Sequence, residues 1–150
     1  MLRTEVLELI QYRPQTGQVR EVPLLIVPPT INKFYALDLA PGRSMVEYLV
    51  QNGQQVFVVS WRNPDARHFG WGLDTYVKAV LDALGAVERI CGTGRTAVTG
   101  VCAGGIIASV MAAHLAAAGQ QDRLACFSLL VTVLDTANAG RDITGASAFA

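Results

Sequence analysis

The chain has 150 residues, which fits one domain on the usual scale of roughly 100–200 residues each. Hydrophobic residues make up 51% and charged residues 16%, against about 25% charged in an ordinary soluble domain. So apolar a chain predicts strands buried on both faces, as in a parallel sheet covered by helices, with part of its surface normally covered by further chain. Lys plus Arg and Asp plus Glu both number 12; with no basic run or stripe, neither nucleic acid nor an anionic membrane is expected as a partner.

In chain order, Val6, Leu7, Leu9 and Ile10 mark a first strand, Pro14-Gln15-Thr16-Gly17 a turn and residues 18–22 a return strand, together an antiparallel hairpin at the sheet edge. Leu24-Leu25-Ile26-Val27 is a short buried strand stopped by Pro28-Pro29. Residues 44–52 place Met45, Val46, Leu49 and Val50 at helical spacing and close on Gly53. Residues 55–61 form another buried strand, broken by Arg62-Asn63-Pro64-Asp65 and followed by a loop with Gly70 and Gly72. A long helix is predicted over residues 73–90, a strand over 96–101, an apolar helix over 106–118 closed by Gly119, and a last strand over 124–134. From Asp135 onward the composition shifts to Ala, Gly, Thr and Asn. This alternation predicts a doubly wound, mostly parallel α/β sheet.

The N-terminal residues Met1-Leu2-Arg3-Thr4-Glu5 lead into alternating residues instead of an apolar leader, and no apolar run reaches the ~18 residues of a membrane span. A cytoplasmic protein is expected. Cys91, Cys102 and Cys126 are odd in number and far apart, with no C-x-x-C pair, which argues against a disulfide framework or a zinc site. Cys91 and Cys126 read as core fillers. Gly92-Thr93-Gly94-Arg95-Thr96-Ala97 spells a dinucleotide fingerprint, but it follows a helix and precedes a strand, the reverse of the required order, so its glycines are expected only to turn the chain.

Cys102 stands apart. It is central in Gly100-Val101-Cys102-Ala103-Gly104-Gly105, where a strand turns directly into a helix. Small residues on both sides suit a nucleophile elbow, whose strained turn projects the central side chain clear of the sheet. The positive end of the following helix favours negative charge beside it, and the Ala103 N–H would point at the oxygen of an attacked carbonyl. An elbow after the third β-α unit of such a sheet is the α/β-hydrolase arrangement.

With these elements placed, the chain resembles the front half of the catalytic domain of the poly(3-hydroxyalkanoate) synthases. The resemblance rests on Pro28-Pro29-Thr30-Ile31-Asn32-Lys33-Phe34-Tyr35-Ala36-Leu37-Asp38-Leu39, on Val59-Ser60-Trp61-Arg62-Asn63-Pro64-Asp65, on the elbow string and on Leu134-Asp135, in the family's order over roughly residues 20–140. It implies an incomplete α/β-hydrolase fold over residues 1–150, with a cap region starting near residue 136. It further implies an acyltransferase that polymerises 3-hydroxyacyl-CoA and releases CoA, with Cys102 carrying the acyl group. The oxyanion hole would use Ala103 and either Thr30 or Ile31. The CoA thioester is the substrate and no separate cofactor is implied; the partners are polyester product or granule and, at full length, a second copy in a homodimer. The granule surface is then a second location.

The family's catalytic Asp and His would lie further downstream than this sequence reaches. His114 is three helical turns from Cys102, roughly 15 Å at 1.5 Å per residue, and His68 is expected to be a solvated loop residue. Asp135 reads as structural or cap-anchoring. Two other readings are an inactive remnant that binds a full-length synthase or a granule, and a Cys-nucleophile hydrolase of esters or lactones. The residues of the last strand belong mid-sheet, so the isolated chain is expected to self-associate.

Overall fold

A computed structural model describes residues 2–135 and residue 137. Five strands form one mixed sheet: β1 (Leu7–Gln11), β2 (Leu24–Val27), β3 (Val56–Trp61), β4 (Thr96–Val101) and β5 (Leu124–Leu130), in the spatial order β1-β3-β2-β4-β5. Only β1 is antiparallel to its neighbour; β3, β2, β4 and β5 run parallel. Three α-helices connect them: α1 (Met45–Gln51), α2 (Leu73–Cys91) and α3 (Ala103–Ala117).

The helices divide between the two faces because the strand residues alternate. Leu25, Val27, Phe57, Val59, Trp61 and Val98 point toward α2 and α3, where Val80, Leu84, Val87, Met111 and Leu115 complete the main core. Ile26, Val56, Val58 and Val101 point the other way, onto Val46 and Val50 of α1. Ser44 caps the start of α1 by accepting from the Glu47 N–H at 2.8 Å. Gly53 and Gly119, the expected stops of α1 and α3, lie just past those helices in the left-handed region at φ 77° and 68°, and Gly92 closes α2 likewise at φ 64°. Gly92 is thus the turn residue expected of it, and not part of a nucleotide loop.

Four expectations need correction. Residues 18–22 are not a strand, and no hairpin forms: β1 pairs with β3, from Leu7↔Trp61 to Gln11↔Phe57. Residues 18–22 instead hang on the turn before β3, with Arg20 N–H donating to Gly53 O at 2.8 Å and Gln54 Nε2 to Val22 O at 2.8 Å. The elbow helix starts at Ala103, not Ile106, because close packing keeps both helical glycines buried. The last strand ends at Leu130, not Leu134. Its final partner is Val101, after which β4 turns into α3 and offers nothing to pair with, and Val131 leaves the extended region at φ 46°. Cys126 is exposed, not core, because it lies on the outermost strand; Cys91 is partly buried against the main core as expected.

The cap expected from about residue 136 lies outside the described residues. No helix among the described residues is long and apolar enough to cross a membrane.

Candidate active site

The C-terminal ends of β2, β3 and β4 meet at one edge of the parallel sheet, where ligand sites of open α/β folds gather. At the end of β4 the chain reverses into α3 within a single residue. That residue is Cys102, at φ 52° and ψ −122°, a region that costs a side-chain-bearing residue about 1–3 kcal/mol. Its strain is held by the neighbours: Cys102 N–H donates to Leu130 O of β5 at 2.9 Å, and Cys102 O accepts from Gly105 N–H at 2.9 Å. The thiol is exposed.

Glycine at three surrounding positions is a packing requirement. A Cβ on Gly100 would lie 2.5 Å from Gly105 Cα, so β4 and α3 could not approach. A Cβ on Gly104 would lie 2.2 Å from Val27 O and 2.3 Å from Pro28 O, which brings the first turn of α3 onto the end of β2. A Cβ on Gly105 would lie 2.0 Å from Thr132 Oγ1. The start of α3 carries no side-chain cap, and the first N–H groups of a helix have no partner within it. The Ala103 amide is one of these.

The loop after β2 supplies the other side of the site. Pro28 and Pro29 are buried, Thr30 is half-buried and Ile31 is exposed. Trp61, the last residue of β3, donates its indole N–H to Pro28 O at 2.9 Å in a buried bond. Lys33, at φ 58°, donates its ammonium to Asn63 Oδ1. The proline-rich string and the S-W-R-N-P-D string, distant in sequence, therefore touch. Sequence reasoning used them only as a family signature and missed Trp61, Asn63 and Lys33 as builders of the site. The signal lay in the indole N–H, which once buried at a strand end needs an acceptor.

His68 is not the solvated loop residue expected. Its side chain is 10% exposed; Nδ1 accepts from the Asp65 N–H at 3.0 Å in a capping box, and the ring lies 4.2 Å from that of Trp71. Hydrogen bonds from Arg67 hold the Asp65 carboxyl at about 2. His114 is exposed on α3. Neither histidine is hydrogen-bonded to Cys102. Asp135 accepts from the Ala137 N–H at 2.9 Å, a local turn contact. Burial pushes the Cys91 thiol up, in keeping with an inert packing role.

Residues 1–49 match the family model "Poly-beta-hydroxybutyrate polymerase (PhaC) N-terminus". The chain is 47% identical over 136 residues to a poly(3-hydroxyalkanoate) polymerase 2 of Ectopseudomonas oleovorans, covering 91% of this chain and 24% of that protein. It is 44% identical over 141 residues to a poly(3-hydroxyalkanoate) polymerase subunit of Cupriavidus necator, covering 93% and 24%. The chain thus spans about a quarter of the length of these relatives. Among solved structures, a bacterial brefeldin A esterase superposes with TM-score 0.55 at 23% identity over 77% of this chain and 33% of its own. A sugar hydrolase of Lactococcus lactis superposes with TM-score 0.55 at 14% identity over 96% and 57%. Together with the sheet order, these give the chain part of an α/β-hydrolase fold.

Proposed function

Since the chain belongs to the poly(3-hydroxyalkanoate) polymerase family, as the N-terminal part of its α/β-hydrolase-type domain, we propose that it carries the nucleophile of a 3-hydroxyacyl-CoA polymerase. The observation that carries this reading is the exposed Cys102 at positive φ between β4 and α3. The Cys102 sulfur attacks the thioester carbonyl of 3-hydroxyacyl-CoA. A new sulfur–carbon bond forms, the carbonyl electron pair moves to oxygen, and its return breaks the bond to CoA, which leaves as the thiol once it takes up a proton. The hydroxyl of a further 3-hydroxyacyl group then attacks the Cys102 thioester, forming an ester and returning the sulfur.

Cysteine suits this chemistry better than the serine usual in the fold. Exchange of one thioester for another keeps the acyl group activated, and sulfur is the better nucleophile near neutral pH. The intermediate oxyanion is met by the Ala103 N–H and by Thr30 or Ile31 from the loop after β2. Deprotonation of the incoming hydroxyl falls to a base outside the described residues, since His68 is engaged with Asp65 and Trp71 and His114 lies along α3. No cofactor beyond the CoA substrate is required. In a polymerase of the relatives' full length, the polyester granule surface and a second copy are the expected partners.

The test is single-turnover acylation of the chain by 3-hydroxybutyryl-CoA, read as CoA release and as added mass on each cysteine peptide. One equivalent on Cys102, none in Cys102→Ala, and no sustained turnover are expected. Acylation that survives in Cys102→Ala, or depends on Cys91, overturns the assignment. Repeated release of free hydroxy acid would favour the hydrolase instead, and failure to acylate at all the inactive remnant.

A further inference from the structure

Six residues of the loop after β2, 28–33, are fastened at both ends, and both fasteners come from the end of β3. At the near end the indole N–H of Trp61, a residue 4% exposed and packed edge-on against Tyr76 with ring centroids 5.4 Å apart, donates to Pro28 O at 2.9 Å. The same carbonyl oxygen lies 2.3 Å from where a Cβ on Gly104 would stand. It is thus gripped between the last side chain of β3 and the first turn of α3. At the far end the Lys33 ammonium donates to Asn63 Oδ1. Between the two grips lie Thr30 and Ile31, whose amides have no other support among the described hydrogen bonds. The peptide plane at Pro28 sets the direction in which the next amides leave β2, and Gly104 is the immediate neighbour of the Ala103 amide.

We propose that Trp61 is a positioning residue for acyl transfer: through the Pro28 carbonyl it holds the Thr30–Ile31 turn in register with the Ala103 amide, so that both can reach one oxyanion. Asn63, through Lys33, is a weaker second pin because the pair is exposed. This rests on the Cys102 reading above. A misplaced donor matters most where charge is transient, and loss of one oxyanion donor outright costs about 10²–10³ in rate. Displacing it by loosening its support costs up to about 10² for a misplacement of about 1 Å, and less for a smaller one.

Two reactions of the same sulfur separate positioning from general support. In acylation by 3-hydroxybutyryl-CoA the carbonyl oxygen becomes negative between attack and expulsion of CoA. In alkylation by iodoacetamide the sulfur displaces iodide from a methylene carbon, and no carbonyl oxygen gains charge. Both rates are measured on the full 150-residue chain for the Cys102 peptide, because Cys126 is also exposed.

Trp61→Phe keeps an aromatic ring against Tyr76 but removes the N–H together with the five-membered ring that carries it, so its alkylation rate is the control for the lost volume. It should slow acylation roughly tenfold while leaving alkylation within about twofold; Asn63→Ala, an exposed substitution that leaves the core intact, should slow acylation about two- to threefold with alkylation unchanged. Unchanged acylation in both variants overturns the positioning role and leaves the Cys102 reading standing. Equal slowing of both reactions reduces Trp61 to structural support and also overturns it. Failure of the unsubstituted chain to acylate Cys102 overturns the earlier reading and this one with it. If circular dichroism shows Trp61→Phe unfolded, Asn63→Ala decides: selective slowing of acylation sustains the proposal, and its absence sinks it.

Discussion

At one edge of the sheet β1 buries Leu7 and Leu9 and exposes Glu8 and Gln11, and the preceding residues fold back over it. Leu9 N–H donates to Leu2 O at 2.9 Å, Thr4 N–H to Leu7 O at 2.8 Å, and Arg3 pairs with Glu8 at 2.7 Å. At the other edge β5 reads Leu-Ala-Cys-Phe-Ser-Leu-Leu, without a charge, and its Phe127 and Leu130 are exposed. Among the described residues nothing is paired with its outer side. Charge, short length and a covering segment are the usual protections of an edge strand; β1 has all three, and among the described residues β5 has none. The elbow leans on β5, through Cys102 N–H to Leu130 O and Thr132 over Gly105. The strained Cys102 is thus steadied on one side by the well-packed centre of the sheet and on the other by the less protected of its two edge strands.

That asymmetry can be broken first at the two glycines of α3. Gly104→Ala drives a Cβ into backbone oxygens of β2 that cannot yield, and should cost about 3 kcal/mol in urea unfolding. Gly105→Ala meets first the side chain of Thr132, in the segment after β5, and should cost clearly less. Gly70→Ala, which meets nothing within 4 Å, serves as the control, with a change within about 0.5 kcal/mol. Equal losses at positions 104 and 105 would mean that the β5 side is as rigid as the centre.

The edge itself is tested by charge. Phe127→Lys should lower the self-association of the chain by about tenfold, equivalent to ~1.4 kcal/mol, in sedimentation velocity at several concentrations. A chain that is monomeric at high concentration without the substitution would show that β5 is protected in some other way.

The smallest effect belongs to the protected side. Tyr12, just after β1, donates to Asp38 Oδ2 at 2.8 Å; burial and that carboxylate raise its phenol above the usual tyrosine range. Because the folded value lies above the unfolded one, the contribution is complete below about pH 10 and is lost as pH rises further. Between pH 9 and 12 the chain should therefore lose stability more steeply than Tyr12→Phe. The difference is a fraction of the about 1.4 kcal/mol per pH unit that one whole proton carries, since the side chain is part-exposed. Parallel pH–melting curves for the two proteins would show that Tyr12 is not coupled to folding.

Periodicity and turn residues determined much of this molecule before any coordinates. The short apolar runs at β2 and β3 between turn residues read as buried strands, the spacing in α1 and α2 as amphipathic helix, and Gly-x-Cys-x-Gly between a strand and a helix already singled out Cys102. These are local signals, carried by residues a few positions apart. What the tertiary structure alone decided are the pairings between distant segments. β1 found β3 in place of a hairpin partner, which left residues 18–22 without a strand, and β5 stopped at Leu130 because its neighbour β4 had turned away at Val101. Cys126 proved exposed for the same reason: burial of a strand residue depends on which elements lie beside and over it. That the Trp61 indole N–H would need an acceptor was legible, but its partner, Pro28 O at a separation of 33 residues, was not, because a hydrogen bond between two strand ends depends on how β2 and β3 are registered.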